Sequence, residues 1–282
     1  IIAKPPFHGT TFLTMRLNPP QILFYNHPNP FGRLNMNPTI EQLLQHRTYR
    51  QFQSGQQLPA EEVDAIIACA QQAASWMNGQ HYTIINIADP ALRARIAELQ
   101  PNNPQIGECA LYLIFVADLH KADLCRQAYD GTFAAAGAPD ALITAVTDAS
   151  LAAQNAVIAA ESLAYATCYT GGIRLIAPQL VELLALPDHT FPLFGLCIGS
   201  PAVDMRLKPR LPKAVVYAEN RYPADQDLLE QLAAYEQTMT DFGEAREKLP
   251  YREKFARFYS NPYAPDNINL MQRMGWLTWH QK

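Results

Sequence analysis

The stretch DALITAVTDASLAAQNAVIAAESL, residues 140–163, decides the fold. Read as one α-helix it is about 36 Å long, at roughly 1.5 Å of rise per residue. From Ala145 onward Ala, Leu, Ile and Val fall on almost every side, and only Asp148, Gln154, Asn155 and Glu161 are strongly polar. A helix that is apolar all round is expected to be buried all round. In a chain of this length that means the core of a domain or a subunit interface. The small side chains of Ala149, Ala152, Ala153, Ala156, Ala159 and Ala160 let a neighbouring element come close. Buried polar groups need hydrogen-bond partners, so Gln154, Asn155 and Glu161 are expected to tie this helix to neighbouring backbone.

Downstream, a short strand ends at Cys168–Tyr169, Pro178 opens a helix to Leu184, and Phe191–Ile198 and Ala214–Tyr217 read as strands. Upstream, Thr39 and Gln42 have the spacing of a capping box for a helix with Ile40, Leu43 and Leu44 on its apolar face. A second helix, Leu58–Ala74, repeats Val63, Ile66, Ile67, Ala70 and Ala74 at threes and fours. The turn Ser75-Trp76-Met77-Asn78-Gly79-Gln80 breaks it, and Tyr82–Ile87 follows as a strand. Asp89 then Pro90 is an N-cap with proline at the first helical position, opening a helix to Leu99. Leu111–Ala117 is an apolar strand. Helices and strands alternate irregularly, without the G-x-G-x-x-G of a dinucleotide fold. The expectation is one α+β domain over residues 36–222. A C-terminal extension, 223–282, follows with lower packing density; it holds a charged helix at Leu228–Tyr235 and a basic, aromatic run at Arg246–Tyr259. Residues 1–35 are proline-rich, aperiodic and free of acidic side chains, which reads as an extension outside the patterned fold. Lys4 and the Pro5–Pro6 pair interrupt the only candidate for a signal-peptide core.

The 282 residues, 49% of them hydrophobic, suffice for a sizeable core. A net charge of only −4 argues against a nucleic-acid or membrane-surface binder, and no apolar run is expected to span a bilayer. Five cysteines, an odd number with no C-x-x-C pair, suit neither a zinc site nor a disulfide framework. They read as reduced, mostly buried thiols of a cytoplasmic protein without a metal site.

Against this near-neutral background two basic clusters stand out. His46-Arg47-Thr48-Tyr49-Arg50-Gln51-Phe52 has three basic side chains and no acidic neighbour, and Lys208-Pro209-Arg210-Leu211-Pro212 is a second cluster. An arginine fork pairs bidentately with phosphate, each charge-assisted bond contributing roughly 1.5–3 kcal/mol. Between the clusters lies the glycine turn Tyr169-Thr170-Gly171-Gly172-Ile173-Arg174. Together these segments suggest a phosphorylated cofactor held from several directions.

The patterns HR[ST]xRxF, AAQNAxxAAESL, YxGGIR, PLFGLCIGxP and KPRLP occur here in the order seen in FMN-dependent nitroreductases. From Thr39 to Tyr222 the chain resembles that family, in particular its NADPH-preferring, oxygen-insensitive nitroreductase and flavin reductase subgroup. The resemblance implies a nitroreductase-like α+β fold: a central antiparallel sheet flanked by helices, in a homodimer with a long buried interface helix. Two FMN sites would lie at the interface, and the C-terminal extension would wrap the partner subunit. Carried over by position, His46, Arg47, Thr48 and Arg50 would hold the FMN phosphate and ribityl chain. Ser75, Asn78 and Gln80 would reach the flavin from the partner, and Gln105 would contact it. Tyr169, Thr170, Gly171 and Gly172 would lie beside the ring. Of Lys208 and Arg210, one would take the pyrimidine edge and the other the phosphate, and either could tune the flavin. Arg246, Lys248 and Arg252 are the candidates for the 2′-phosphate of NADPH.

The activity so implied passes two electrons from NAD(P)H, NADPH favoured, to a nitroaromatic, quinone or free flavin by a ping-pong mechanism. The side chains supply no obligatory catalytic nucleophile. The alternative is a flavin-binding carrier or sensor of the same fold without turnover. This chain departs from the family pattern at Leu163–Cys168, where a glycine-rich stretch is usual, and at Trp76 and Thr170.

Overall fold

The computed structural model describes residues 37–129, 131–244 and 246–279; the extension assigned to residues 1–35 lies outside them. The helices in chain order are α1 (Pro38–Leu44), α2 (Ala60–Gln71), α3 (Pro90–Leu99), α4 (Gln105–Glu108), α5 (His120–Ala128), α6 (Pro139–Ser162), α7 (Ala177–Leu183) and α8 (Lys213–Val216). Three more, α9 (Asp225–Phe242), α10 (Tyr251–Phe258) and α11 (Asn267–Arg273), form the C-terminal extension. The strands are β1 (Tyr82–Asn86), β2 (Leu111–Asp118), β3 (Ala166–Thr170) and β4 (Thr190–Gly199). They pair in the order β1-β2-β4-β3, every neighbour antiparallel. The expected α+β class with a central antiparallel sheet is therefore found.

Every residue of β2 is buried, because helices cover both faces of the sheet and an alternating pattern is not required. One face carries α6 and α2, where Phe115, Leu113 and Leu111 meet the alanines of α6 and Ile66 of α2. The other carries Ile96 of α3, Ile106 of α4 and Leu180 of α7 against Tyr112, Ile114 and Cys197. The β2–β4 register slips between Phe115 and Val116, which pair with Phe194 and Pro192 and leave Leu193 as the extra residue. A bulge there lets β4 accommodate a proline, which has no N–H to donate to the ladder.

The helix α6 is buried along one side, by Ala145, Asp148, Ala149, Ala152, Ala153, Ala156, Val157, Ala159 and Ala160. It is not buried all round within the chain: Ile143, Thr147, Leu151 and Gln154 form an exposed strip at helical spacing. The expectation that no segment suits a bilayer also needs correcting. By length and mean hydropathy of 1.3, α6 meets the requirements of a membrane span, yet its alanine face packs against the sheet and α2.

Local chemistry corrects several boundaries. Asn37, not Thr39, caps α1: its Oδ1 accepts from the Ile40 N–H at 3.0 Å with Pro38 in the first turn, and Leu43 and Leu44 stay largely exposed. Asp89 caps α3 as expected. The expected strand at Ala214–Tyr217 is the helical turn α8. Pro212 precedes it with a fixed φ suited to entering a helix, and Val216 is exposed rather than paired. The C-terminal extension is not uniformly loose. Of α9 only Tyr235 is buried, and of α10 no residue, but Leu270, Met274 and the fully buried Trp276 join the main core. Trp276 Nε1 donates to the Thr190 carbonyl at 3.0 Å. Cys109, Cys168 and Cys197 are buried free thiols as expected, whereas Cys69 and Cys125 are exposed.

Candidate functional site

Strand β3 organises the site. The segment after α1 runs beside it: Thr48 bridges to Thr167, and the Tyr49 N–H donates to the Thr167 carbonyl at 3.0 Å. Its far end is held by the chain leaving β4, with Phe52 bridged to Pro201 and the Ala202 N–H donating to Gln51 at 3.0 Å. Glu161, near the end of α6, locks the start. Its Oε1 meets His46 Nδ1 at 2.7 Å and accepts from Thr167 Oγ1 at 2.8 Å. The structural role expected of Glu161 is thus found, but through side chains rather than backbone. Asn155 behaves as expected, donating to the Cys69 carbonyl at 3.1 Å, while Gln154 is exposed.

The two arginines of this segment divide the work. Arg47 is spent on structure: it donates to the Met205 carbonyl at 2.9 Å and to the carbonyl and side chain of Gln45. Arg50 is exposed and, among the described residues, has neither hydrogen-bond nor ion-pair partner, so its guanidinium is open to a ligand. Burial pushes the Cys168 thiol up, while Arg50, a hydrogen bond from Gln105 and Arg246 all pull it back. Gln105 Nε2 reaches Cys168 Sγ at 3.7 Å, and the segment that carries Arg50 runs beside the same strand.

At the other end of β3 the chain turns through Gly171 and Gly172. A side chain on Gly172 would meet Asn103 Nδ2 at 2.7 Å and Gln100 Oε1 at 2.9 Å. These amides belong to a partly buried network in which Asn103 donates to Gln100 and Gln105 donates to Asn103, each at 3.2 Å. Gln100 and Asn103 do not stand out in the sequence; only the clustering of amides around Pro101 and Pro104 hints at them. Tyr169 is partly exposed, its ring edge-on to Phe194 at 5.4 Å. Thr170 departs from expectation. It is buried with its hydroxyl 3.0 Å from Tyr112 Oη, which leaves only its backbone for a ligand.

In the second cluster, Lys208 Nζ lies 3.1 Å from Glu247 and 3.7 Å from Glu244, and Glu247 also binds Lys254 at 2.7 Å. Burial works against the Glu247 carboxylate, but hydrogen bonds from Lys254 and Lys208 outweigh it and hold its pKa below the usual range. Arg210 is exposed and, among the described residues, without a carboxylate partner. Tyr235 Oη donates to the Pro209 carbonyl at 2.8 Å and pins this loop to α9. Of the three tail cations, Arg252 is engaged by Glu236, whose Oε1 accepts from the guanidinium at 2.7 Å and whose Oε2 accepts from the Arg252 backbone N–H at 2.9 Å, while Arg246 and Lys248 are exposed.

Ser75, Asn78 and Gln80 sit elsewhere. Their turn has left-handed backbone at Met77, Asn78 and Gln80 and is held by one buried carboxylate. Asp148 accepts from the Trp76 N–H at 2.9 Å, the His81 N–H at 3.1 Å and His81 Nδ1 at 2.8 Å. Asp148 and Glu161 anchor the turn and the basic segment thirteen residues apart on one helix, about 20 Å. The same chain does not bring the turn onto the Arg50 cluster. The signal for Asp148 was present: a lone carboxylate on an alanine-rich helix face needs partners.

Comparison with known proteins adds to this geometry. The model of the nitroreductase family matches residues 43–200, and that of the nitroreductase family C-terminal domain matches residues 208–278. The chain is 35% identical over 240 residues to the FMN reductase (NADPH) of Bacillus subtilis strain 168, covering 84% of this chain and 93% of that protein. It is 36% identical over 249 residues to the oxygen-insensitive NADPH nitroreductase of Salmonella typhimurium, covering 86% and 100%. Among solved structures, the NADPH:FMN oxidoreductase from Vibrio harveyi complexed with NAD+ superimposes with a TM-score of 0.77 at 28% identity, covering 86% of this chain and 99% of that one.

Proposed function

The chain belongs to the nitroreductase family, and from that premise we propose that it is an FMN-dependent oxidoreductase driven by NAD(P)H, with NADPH favoured. FMN, when bound, supplies the two-electron chemistry, taking a hydride from the nicotinamide and delivering it to an acceptor. The observation that supports this reading is the open cation Arg50 on the segment beside β3, with Gln105 against Cys168 of that strand and a glycine turn at the strand's end. That donor set fits a flavin phosphate at one end of β3 and a flat ring at the other.

Arg50 and Arg210 hold the phosphate. His46, fixed by Glu161, and Thr48 line the ribityl chain, while Arg47 shapes the loop beneath. Gly171 and Gly172 let backbone N–H groups approach the ring edge without a side chain in the way. Lys208 shares its charge between the tail carboxylates and the pyrimidine edge, favouring negative charge there. Because the Ser75–Gln80 turn is far from Arg50 in its own chain, it serves the flavin of a second copy. The protein is then a homodimer closed over the exposed strip of α6, with α9 and α10 reaching across the partner. Arg246 and Lys248 receive the 2′-phosphate of NADPH. The acceptor is a nitroaromatic, a quinone or free flavin, used in the cytoplasm in turn with the nicotinamide.

Purified protein is expected to be yellow, to bleach on anaerobic addition of NADPH, and to give parallel initial-rate lines. Arg50→Ala should lose flavin while keeping the dimer. Colourless protein that FMN cannot reconstitute, or full flavin occupancy in Arg50→Ala, refutes the assignment.

A further inference from the structure

Lys208, assigned above to the pyrimidine edge, does not stand free. Its loop is held beside the site from two sides. Arg47 donates to the carbonyl of Met205 at 2.9 Å, three residues before Lys208. At roughly 3.3–3.6 Å per residue, the Lys208 backbone lies within about 11 Å of that carbonyl. On the other side Tyr235 Oη donates to the Pro209 carbonyl at 2.8 Å. With the backbone fixed, the partners of the side chain decide what its ammonium can do.

Those partners come from the C-terminal extension. Glu247 Oε1 accepts from Lys208 Nζ at 3.1 Å, and Glu244 Oε2 stands 3.7 Å from the same atom. Glu247 Oε2 accepts from Lys254 Nζ at 2.7 Å, so one carboxylate bridges two ammonium groups. The bridge is anchored within the tail. The Glu247 N–H donates to the Glu244 carbonyl at 2.9 Å, and Lys254 Nζ sits over the Phe255 ring, 5.0 Å from its centroid. A cavity of about 320 Å³ lies alongside, with Lys208, Glu244, Glu247 and Lys254 on its wall. Loop and tail therefore meet here through charge more than through close packing. The side chains of Lys208 and Glu247 are 40% and 27% exposed, and partly buried pairs are screened less than fully solvated ones.

We infer that Glu247 is a positioning residue that sets the reduction potential of the bound flavin through Lys208. This rests on the reading that Lys208 meets the pyrimidine edge. An ammonium at that edge favours the reduced flavin, where negative charge collects. Glu247 takes one of the three N–H groups of Lys208 and offsets part of its charge. The carboxylate thus holds the potential below the value Lys208 alone would impose, without touching the reacting atoms. A tail with an acid at this position keeps the flavin a stronger reductant toward its acceptors.

The test is the midpoint potential of the holoprotein, measured by anaerobic reduction against a reference dye. Glu247→Gln should raise the potential and Lys208→Met should lower it. Each shift should be about 30 mV, a tenfold change in relative affinity for reduced over oxidised flavin in a two-electron couple. In the Lys208→Met background Glu247→Gln should shift nothing further, because the ammonium it acts on is gone. Lys254→Gln loosens the same junction but leaves the Lys208 pair in place, so it should not raise the potential. Three results overturn the inference while sparing the flavin reading: a shift in Lys208→Met with none in Glu247→Gln, a full rise for Glu247→Gln in the Lys208→Met background, or a rise in Lys254→Gln. If Lys208→Met itself leaves the potential unchanged, the placement of Lys208 at the pyrimidine edge falls, and the role of Glu247 falls with it.

Discussion

Removing the Asp148 carboxylate should be among the most damaging single changes to this chain. Asp148 is 2% exposed and accepts three hydrogen bonds, at 2.9, 3.1 and 2.8 Å, from the Trp76 and His81 backbones and the His81 ring. In Asp148→Ala all three donors lose their acceptor, and each unsatisfied buried donor costs about 1–3 kcal/mol. Trp76 is 64% exposed, so water replaces the acceptor there at the low end of that range. Neighbouring effects are not additive, and the expected loss is about 3–5 kcal/mol, or on the order of 10 °C in melting temperature at roughly 2–4 °C per kcal/mol. The turn with left-handed Met77, Asn78 and Gln80 should loosen with it, weakening flavin retention if the turn serves a partner's flavin. The assay is thermal melting by circular dichroism at one fixed protein concentration, because any self-association makes melting concentration-dependent. Asn155→Ala, which removes a single exposed bond to Cys69, is the control and should cost about 1 kcal/mol. A loss of under 1 kcal/mol in Asp148→Ala, with full flavin occupancy, would refute the clamp.

Two further outcomes follow from the site's geometry. Gly172→Ala forces a methyl group within 3 Å of Asn103 and Gln100; it should destabilise by about 1–3 kcal/mol and weaken FMN binding, which a flavin titration measures, and unaltered affinity would contradict the tight approach. The Glu247 carboxylate, opposed by burial but held low by Lys254 and Lys208, stabilises the junction of the Lys208 loop with α9 and α10. A depressed acid contributes above its unfolded pKa and loses that contribution as pH falls through its folded pKa. The protection factors of amides in residues 246–259, corrected for the intrinsic exchange rate at each pH, should therefore fall on acidification below the ordinary glutamate range, and Glu247→Gln should remove most of that dependence.

What the sequence made legible was set by short-range chemistry. Asp89–Pro90 announced α3 because an N-cap and a first-turn proline act locally, and the apolar run of β2 announced a strand covered on both faces. The basic segment and the glycine turn were visible by composition, and the structure places both along β3. The division of labour between Arg47 and Arg50 was not visible, because it depends on the Met205 carbonyl more than a hundred residues away. Thr170 reads as a site residue until Tyr112 is brought to its hydroxyl. The strand expected at Ala214–Tyr217 failed for the same reason: two valines favour extended backbone only when an edge is there to pair with. The depth to which Trp276 sinks is likewise set by β4, not by its own neighbours in sequence.

That last contact has a bearing on biosynthesis. Trp276 closes over Thr190, 86 positions earlier. At a translation rate of about 5–20 residues per second the β4 end of the core waits roughly 4–17 s for its cover. Over that interval Phe191, Leu193 and their neighbours face solvent in a nascent chain, which is when a chaperone has something to hold. A premature stop anywhere after β4 but before residue 276 leaves that surface permanently uncovered, and such products should be sorted to proteolysis rather than accumulate as shortened enzyme.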